Sequence, residues 1–195
     1  MTAAGTEAGA RPDVWICDFA EADDRAAFAR LMAEFAAEPV SASAHLGEAH
    51  FLKVAADLAR RAGTLVLFAS RAEAGHPEGV LLAFEGYSSF AQRPLFNVHD
   101  VHVSPDARGR GLGAAMMEAL VEIAREHGFA KITLEVAATN AGAVRLYRRL
   151  GFKGLDALPA EPPAGATWFA SRAVYKGCLA RAGKCQAPRG TCRAP

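Results

Sequence analysis

A glycine-rich turn between an apolar strand and an amphipathic helix constrains the fold of this chain more than any other feature. Residues 108–113 read RGRGLG, after an apolar stretch at 96–103 and before a helical pattern at 112–127. The first turn of a helix leaves backbone N–H groups unpaired at the positive end of the helix dipole. Because glycine has no side chain, an anionic group can approach these N–H groups closely. The turn therefore predicts a phosphate site, although a tight strand–helix connection without a ligand would read much the same.

The spacing of the glycines separates this turn from two well-known nucleotide-binding loops. Its register does not supply the G-x-G-x-x-G fingerprint of dinucleotide-binding folds, and it lacks the Gly-Lys-Ser/Thr of a Walker loop. Arg108 and Arg110 add positive charge and bidentate hydrogen-bond donors beside the glycines. The two arginines favour an anionic phosphate group as the ligand, in a loop of neither of these two kinds.

Hydrophobic periodicity and chain-breaking residues divide the chain into strands and helices in the order β-α-α-β-β-β-α-β-α-β-β. Asp23 or Asp24 is expected to cap the first helix, and Thr139 or Asn140 the last. The predicted strands lie at 14–19, 65–70, 80–87, 96–103, 131–136, 152 and 167–175, and the predicted helices at 23–37, 47–61, 112–127 and 140–150.

A second motif follows the glycine-rich turn some 40 residues later, where residues 140–152 read NAGAVRLYRRLGF. Together the two motifs resemble those of the GNAT superfamily of N-acetyltransferases, and the resemblance covers about residues 14–176. The first family motif, Arg/Gln-x-x-Gly-x-Gly/Ala, is matched by Arg108, Gly111 and Gly113. The second, Asn-x-x-Ala-x-x-Leu-Tyr-x-x-x-Gly-Phe, begins at Asn140.

The resemblance implies an α/β (α+β) fold with a central mixed, mostly antiparallel sheet, flanking helices and splayed fourth and fifth strands. It also implies acetyl-CoA as co-substrate, and within the superfamily residues 85–103 look most like the diamine and polyamine acetyltransferase branch. His99 departs from that branch, which often has glutamate there. By this resemblance the cofactor-binding residues are Val101, His102, Val103, Arg108, Gly109, Arg110, Gly111, Leu112, Gly113, Ala114, Asn140 and Ala143.

Acetyl transfer to an amine needs a base, since a free alkylamine binds its proton with a pKa of about 10.4. Imidazole gains and loses a proton near neutral pH, which makes His99 the candidate, acting through water. Asp100 and Glu135 are the alternatives. In a regular strand His99 and Asp100 would point to opposite faces, so both can face one cleft where a bulge intervenes. For His99 and Glu135 an ordinary strand position is the competing interpretation.

The other catalytic groups follow from the resemblance. Tyr147 resembles the family's general acid, which would protonate the departing sulfur, although its helical spacing also suits a core tyrosine. Asn140 would orient the cofactor, cap the last helix, or both. A backbone N–H of the fourth strand near Val101–Val103 would polarise the thioester carbonyl. No covalent intermediate is required, because two substrates held together can react directly.

The acceptor is expected to be a small-molecule primary amine, bound by the first two helices, residues 87–93 and the loop at 157–165. Glu34, Glu38 and Glu48 would form an anionic mouth, unless they are ordinary acids of a helix surface. Two other functions remain open at this point: acetylation of a peptide or protein, and a non-catalytic module that binds acetyl-CoA.

Charge and composition narrow the partners. The net charge of +1 gives no indication of nucleic-acid binding, and no stretch approaches the roughly 20 apolar residues that span a bilayer. A cytoplasmic protein is expected, and the resemblance suggests a homodimer. We expect a disordered leader at 1–12, one domain at 13–176 and a disordered basic tail at 177–195. The tail carries Cys178, Cys185 and Cys192, whose spacing fits reduced thiols better than a metal site.

Overall fold

The computed structural model describes residues 11–38, 43–156, 158 and 165–174. Most of the predicted leader, the whole predicted tail with its three cysteines, and most of the loop at 157–165 lie outside these residues. The described residues form, in order, β1 (Asp13–Ile16), α1 (Ala22–Ala36), α2 (Glu48–Leu58), β2 (Thr64–Ser70), β3 (Gly79–Ser88), β4 (Arg93–Val103), a short 3₁₀ turn (Pro105–Ala107), α3 (Leu112–Glu126), β5 (Lys131–Ala137), α4 (Ala141–Arg149) and β6 (Thr167–Ala173). None of the described helices is long and apolar enough to cross a membrane.

The six strands form one mixed sheet in sequence order, β1-β2-β3-β4-β5-β6. All neighbours are antiparallel except β4 and β5, which run parallel. These two strands pair over three positions, the last being Val98 with Leu134, while β4 continues to Val103 and β5 to Ala137. They therefore separate halfway along their length. The expected mixed sheet with splayed fourth and fifth strands is confirmed.

Two hydrophobic cores lie on opposite faces of the sheet, because successive strand side chains alternate between the faces. Leu67, Leu81 and Leu134 pack against α3 and α4 on one face. Phe68 and Val80 pack against α1 and α2 on the other face. Fully burying one such side chain contributes about 1.5–3 kcal/mol. Each face of the sheet thus holds its own pair of helices in place.

Two expectations about the elements are corrected. Neither Asp23 nor Asp24 caps α1, since the N-cap is Glu21 and both aspartates lie in the first turn. Asp24 instead accepts a hydrogen bond from the Asp18 N–H at 2.7 Å, which closes the loop before the helix. Phe152 does not begin a strand: it is buried in the core at the end of α4, and an isolated bridge follows at the next residue.

Candidate active site

A β-bulge interrupts β4 beside the point where the strand leaves β5. Leu82 pairs with Asp100 and Ala83 pairs with Val98, so His99 has no partner on β3. The extra residue breaks the alternation of side chains. His99 and Asp100 therefore lie on the same face, with His99 Nδ1 3.7 Å from Asp100 Oδ2. The condition under which His99 and Asp100 can face one cleft, a bulge in the strand, is therefore met.

A cavity of about 390 Å³ lies next to this bulge, between α1, α2 and β4. The acceptor was expected to contact the first two helices, and residues of both helices line this cavity. The Asp100 side chain is 22% exposed, and burial raises the pKa of its carboxyl above the ordinary value. His99 is 62% exposed, and its ring contacts Phe84 edge-on at 5.5 Å. The lining residues are Met32, Phe35, Ala36, Glu38, Ser43, Leu46, Phe51 and Asp100.

A side-chain hydrogen bond links β4 to β5 just before the strands diverge. Asn97 Nδ2 donates to Thr133 Oγ1 at 3.1 Å, between two directly paired positions. The first residues beyond the last pair are His99 on β4 and Glu135 on β5, which are two of the predicted bases. Glu135 is exposed and lies on β5, opposite Phe169 of β6. Nothing in the sequence pattern indicated this hydrogen bond, because its two residues are 36 positions apart.

The backbone of β4 beyond the bulge presents alternate residues to the cleft. The Ser104 N–H donates to the Glu78 carbonyl at 2.8 Å, which continues the β3–β4 ladder. Hydrogen-bonded pairs alternate in an antiparallel ladder. His102 therefore turns its backbone groups toward β3, whereas Val101 and Val103 turn theirs toward the gap left by β5. Of the three residues predicted to bind cofactor on this strand, two thus face the cleft and His102 does not.

The His102 side chain is buried under α1, on the face of the sheet that also holds the cavity. Its Nδ1 lies 3.1 Å from Glu38 Oε1, its Nε2 lies 3.5 Å from Glu34 Oε2, and its ring stacks on Phe35 at 5.4 Å. Burial holds the pKa of His102 below its ordinary value despite the two carboxylates. His102 thus anchors α1 to β4.

Glu34 is tied to the strand and loop behind α1. It accepts hydrogen bonds from Ser104 Oγ at 2.6 Å and from Arg30 at 2.7 Å. Burial alone would raise the pKa of Glu34, but these bonds hold it below the ordinary value. The four-residue spacing of Glu34 and Glu38 places both on one side of α1, a signal already present in the sequence. Both acids are internal ties, rather than free members of an anionic mouth.

The glycine-rich loop leads into α3 with an open backbone. Gly109 and Gly111 adopt φ of +76° and +87°, a region that side chains rarely occupy. A Cβ at either position would meet no protein atom within 4 Å. Ala115 donates the first intrahelical bond, to Gly111, and α3 has no side-chain cap. The N–H groups of Leu112, Gly113 and Ala114 therefore point out unpaired, which fits a pyrophosphate.

The two arginines of the loop differ in their use. Arg108 donates through Nε to the Val103 carbonyl at 3.0 Å and through a terminal nitrogen to Glu38 at 2.5 Å. Its guanidinium is thus committed to β4 and α1. Arg110 is exposed and forms no ion pair with any described residue. Arg110 is therefore the arginine whose charge is left for a phosphate.

We expect the Arg108–Glu38 pair to contribute measurably to folding. Replacing Arg108 with glutamine should lower the free energy of unfolding, and replacing Glu38 with glutamine as well should restore part of the loss. Because Glu38 is 26% exposed, a coupling energy of about 1 kcal/mol is expected from a urea-unfolding double-mutant cycle. The exposed pair Arg125–Glu122, also 2.5 Å apart, serves as the control, with about 0.3–0.5 kcal/mol. Equal coupling in both cycles would contradict the anchoring role of Arg108.

Tyr147 lies on α4, on the face of the sheet opposite the cavity. It is buried against Phe152 at 5.6 Å between ring centroids, and burial raises its pKa to about 12. Its hydroxyl forms no hydrogen bond with the described residues. A phenol in this state keeps its proton at neutral pH and can donate it. The competing interpretation, a core tyrosine, holds for the ring, which packs within the α3–α4 core.

Asn140 caps α4, as one of the two interpretations predicted. Its side-chain oxygen accepts a hydrogen bond from the Ala143 N–H at 3.0 Å. The Ala143 N–H is therefore used within the cap, and its proposed contact with the cofactor would have to come from other atoms. The cap fixes the start of the helix that carries Tyr147.

Comparison with known proteins supplies the family. The family model described as "Acetyltransferase (GNAT) family" matches residues 26–152. The L-methionine sulfoximine/L-methionine sulfone acetyltransferase of Pseudomonas aeruginosa is 35% identical over 114 residues, covering 52% of this chain and 65% of that protein. The ribosomal protein bS18-alanine N-acetyltransferase of Escherichia coli is 45% identical over 58 residues, covering 30% and 37%. The Salmonella typhimurium yncA protein, solved with its cofactor acetyl-CoA, has a TM-score of 0.63 at 20% identity, covering 88% of this chain and 99% of that one.

This chain spans less than two thirds of the length of either of these two curated relatives, and the structural likeness shows the shared fold. Their names give a methionine derivative and a ribosomal-protein alanine as acceptors, so the expected kinship with the diamine and polyamine branch is not shown. The family match includes the glycine-rich loop, the split between β4 and β5, and the second motif through Phe152. The chain accordingly belongs to the GNAT family of N-acetyltransferases, whose members use acetyl-CoA as co-substrate.

Proposed function

We propose that this chain transfers the acetyl group of acetyl-CoA to the primary amine of a small molecule, with both substrates bound together. The observation that carries the proposal is the cavity beside the bulge, where the partly buried carboxylate of Asp100 lies close to the point at which β4 and β5 diverge. Its volume of about 390 Å³ lies at the low end of the range for small-molecule sites, about 300–1,000 Å³. A peptide or protein acceptor would be expected to need a wide, flat groove.

Acetyl-CoA supplies the thioester whose acetyl group is transferred. The N–H groups at the start of α3, together with Arg110, would bind its pyrophosphate. The cleft-facing N–H of Val101 would donate to the thioester carbonyl. Tyr147 would donate its proton to the departing sulfur. These four contacts come from β4, α3 and α4, which share one core.

On the other face, Asp100 and His99 would handle the amine. Asp100 would hold the ammonium in the cavity by a charge-assisted hydrogen bond. His99, exposed beside it, would take the proton through water, because the amine attacks only when neutral. The single cysteine in the described residues, Cys17, is buried, and burial raises its pKa to about 12. A thiol in that state is a poor nucleophile, which supports direct transfer without an acetyl-enzyme.

The proposal is tested by following CoA release chromatographically with acetyl-CoA and a set of small amines, in the parent and in Asp100→Asn. We expect amine-dependent release in the parent. In the variant, kcat/KM for the amine should fall about 10–100-fold, mainly through KM, which corresponds to the ~1.5–3 kcal/mol of a hydrogen bond to a charged group. Glu118→Gln, which removes an exposed carboxylate on α3, should leave both constants unchanged.

Asp100→Asn should also change the pH dependence of stability in a way that a damaged fold would not. Because burial raises the pKa of Asp100 above its usual 3.8, the folded protein binds this proton more tightly than the unfolded chain does. The free energy of unfolding should therefore rise as the pH falls through the raised pKa. Asp100→Asn should remove this dependence and stabilise the fold at neutral pH. Unchanged KM, or no CoA release with any amine, would contradict the proposal.

A further inference from the structure

The charges around the cavity are unequal. Two carboxylates line it, Asp100 and Glu38. Glu38 is already neutralised by Arg108 at 2.5 Å and is hydrogen-bonded to His102 at 3.1 Å. Asp100 faces the imidazole of His99 at 3.7 Å and forms no ion pair with a lysine or arginine among the described residues. The cavity therefore offers one uncompensated negative charge.

The rest of the described lining is almost entirely apolar. Met32, Ala36 and Phe51 belong to the core between α1, α2 and the sheet, and Phe35 and Leu46 pack against that core. Phe35 is additionally held by its stacking on His102. The described walls therefore offer a ligand no polar side chain other than that of Ser43. A second ammonium placed against them would lose its hydration without gaining a partner, which is costly.

We propose that the acceptor is a primary monoamine with a compact apolar body, whose ammonium binds Asp100 and whose hydrocarbon portion lies against the α1–α2 wall. This inference rests on the proposed function, of which it names the substrate class. It is the opposite of a polyamine site, which needs a negative charge for each ammonium along the chain. Specificity then arises from the Arg108–Glu38 pair, because that pair withdraws the second carboxylate from the ligand.

The test compares hexylamine with 1,6-diaminohexane, which have the same length and differ by a second ammonium. Both compounds are protonated at neutral pH, since alkylamines have a pKa of about 10.4. We expect kcat/KM for hexylamine to exceed that for the diamine at least tenfold, and 2-phenylethylamine to behave like hexylamine. Leu46→Glu, which adds a carboxylate to the apolar wall at a partly exposed position, should narrow the ratio.

Binding of each amine by calorimetry separates this inference from the proposed function. Tighter binding of hexylamine, with or without CoA release, supports the monoamine site, and its loss in Asp100→Asn locates the ammonium. Equal or tighter binding of the diamine overturns the inference even where both amines are acetylated. Binding of neither amine overturns it as well. Absence of CoA release with a bound monoamine overturns the transfer reaction alone.

Discussion

Replacing Gly111 with aspartate should lower the affinity for acetyl-CoA about 100-fold, equivalent to ~2.7 kcal/mol. Gly111 precedes α3, next to the three unpaired N–H groups, and the space around its missing side chain is open. A carboxylate there would occupy the path of the pyrophosphate. It would also repel it, since two like charges about 4 Å apart near a protein surface interact by roughly 4 kcal/mol. Calorimetric titration with acetyl-CoA measures the change directly.

Gly75→Asp provides the matched control for backbone strain. Gly75 lies between β2 and β3 with φ of +67°, and a Cβ there would meet no protein atom within 4 Å, so the same substitution is made in the same kind of backbone. Both variants should lose similar stability, about 1–2 kcal/mol. Acetyl-CoA affinity should fall in Gly111→Asp alone. If both variants bind acetyl-CoA as the parent does, the loop between β4 and α3 does not hold the pyrophosphate.

Tyr147→Phe should lower kcat about 100-fold or more while leaving the dissociation constant for acetyl-CoA close to that of the parent. Burial raises the pKa of Tyr147 to about 12, so the phenol is protonated throughout the working range and its hydroxyl can donate a hydrogen bond to the departing sulfur. Removing a positioned general acid typically costs a factor of about 10² to 10⁴. Single-turnover measurement of CoA release isolates the chemical step from product release.

The substitution should leave the fold almost unaffected. The ring of Tyr147 packs on Phe152 and is retained in phenylalanine, and the hydroxyl has no hydrogen-bond partner among the described residues. The melting temperature should therefore change by no more than about 2 °C, which a thermal scan would show. Unchanged turnover in a fully folded variant would remove Tyr147 from the reaction and leave it a core residue.

Local sequence patterns predicted most of the fold because they depend on neighbouring residues. The apolar stripe of α3 and the Asn140 cap of α4 each lie within a few residues of chain, so periodicity and capping preferences identify them. The tight turn before α3 follows from glycines that the backbone needs at positive φ, as Gly109 and Gly111 show. The splayed strands came from the resemblance between motifs, since no local pattern encodes them.

The parts that could not be predicted depend on contacts between distant residues. The bulge at His99 arises from the register between β3 and β4, which a single strand does not reveal. Arg108 reads as a phosphate ligand in the sequence because its partner Glu38 lies 70 residues away. His102 likewise lies only two residues after Asp100, the carboxylate that lines the cavity, yet its own side chain is buried under α1. The positions of helices and strands could therefore be predicted from the sequence, whereas the partners of individual side chains could be identified only from the structure.

The two hydrophobic cores give this fold a division of labour that bears on how such proteins diversify. The core on the α3–α4 face carries the glycine-rich loop and Tyr147, whereas the core on the α1–α2 face forms walls of the cavity. Substitutions in the second core can reshape the cavity while the first core keeps the backbone of the glycine-rich loop in place. The Arg108–Glu38 pair is a direct tie between the loop of one and the helix of the other. If the α3–α4 face were kept and the α1–α2 face were replaced, a single donor site would serve many different acceptors.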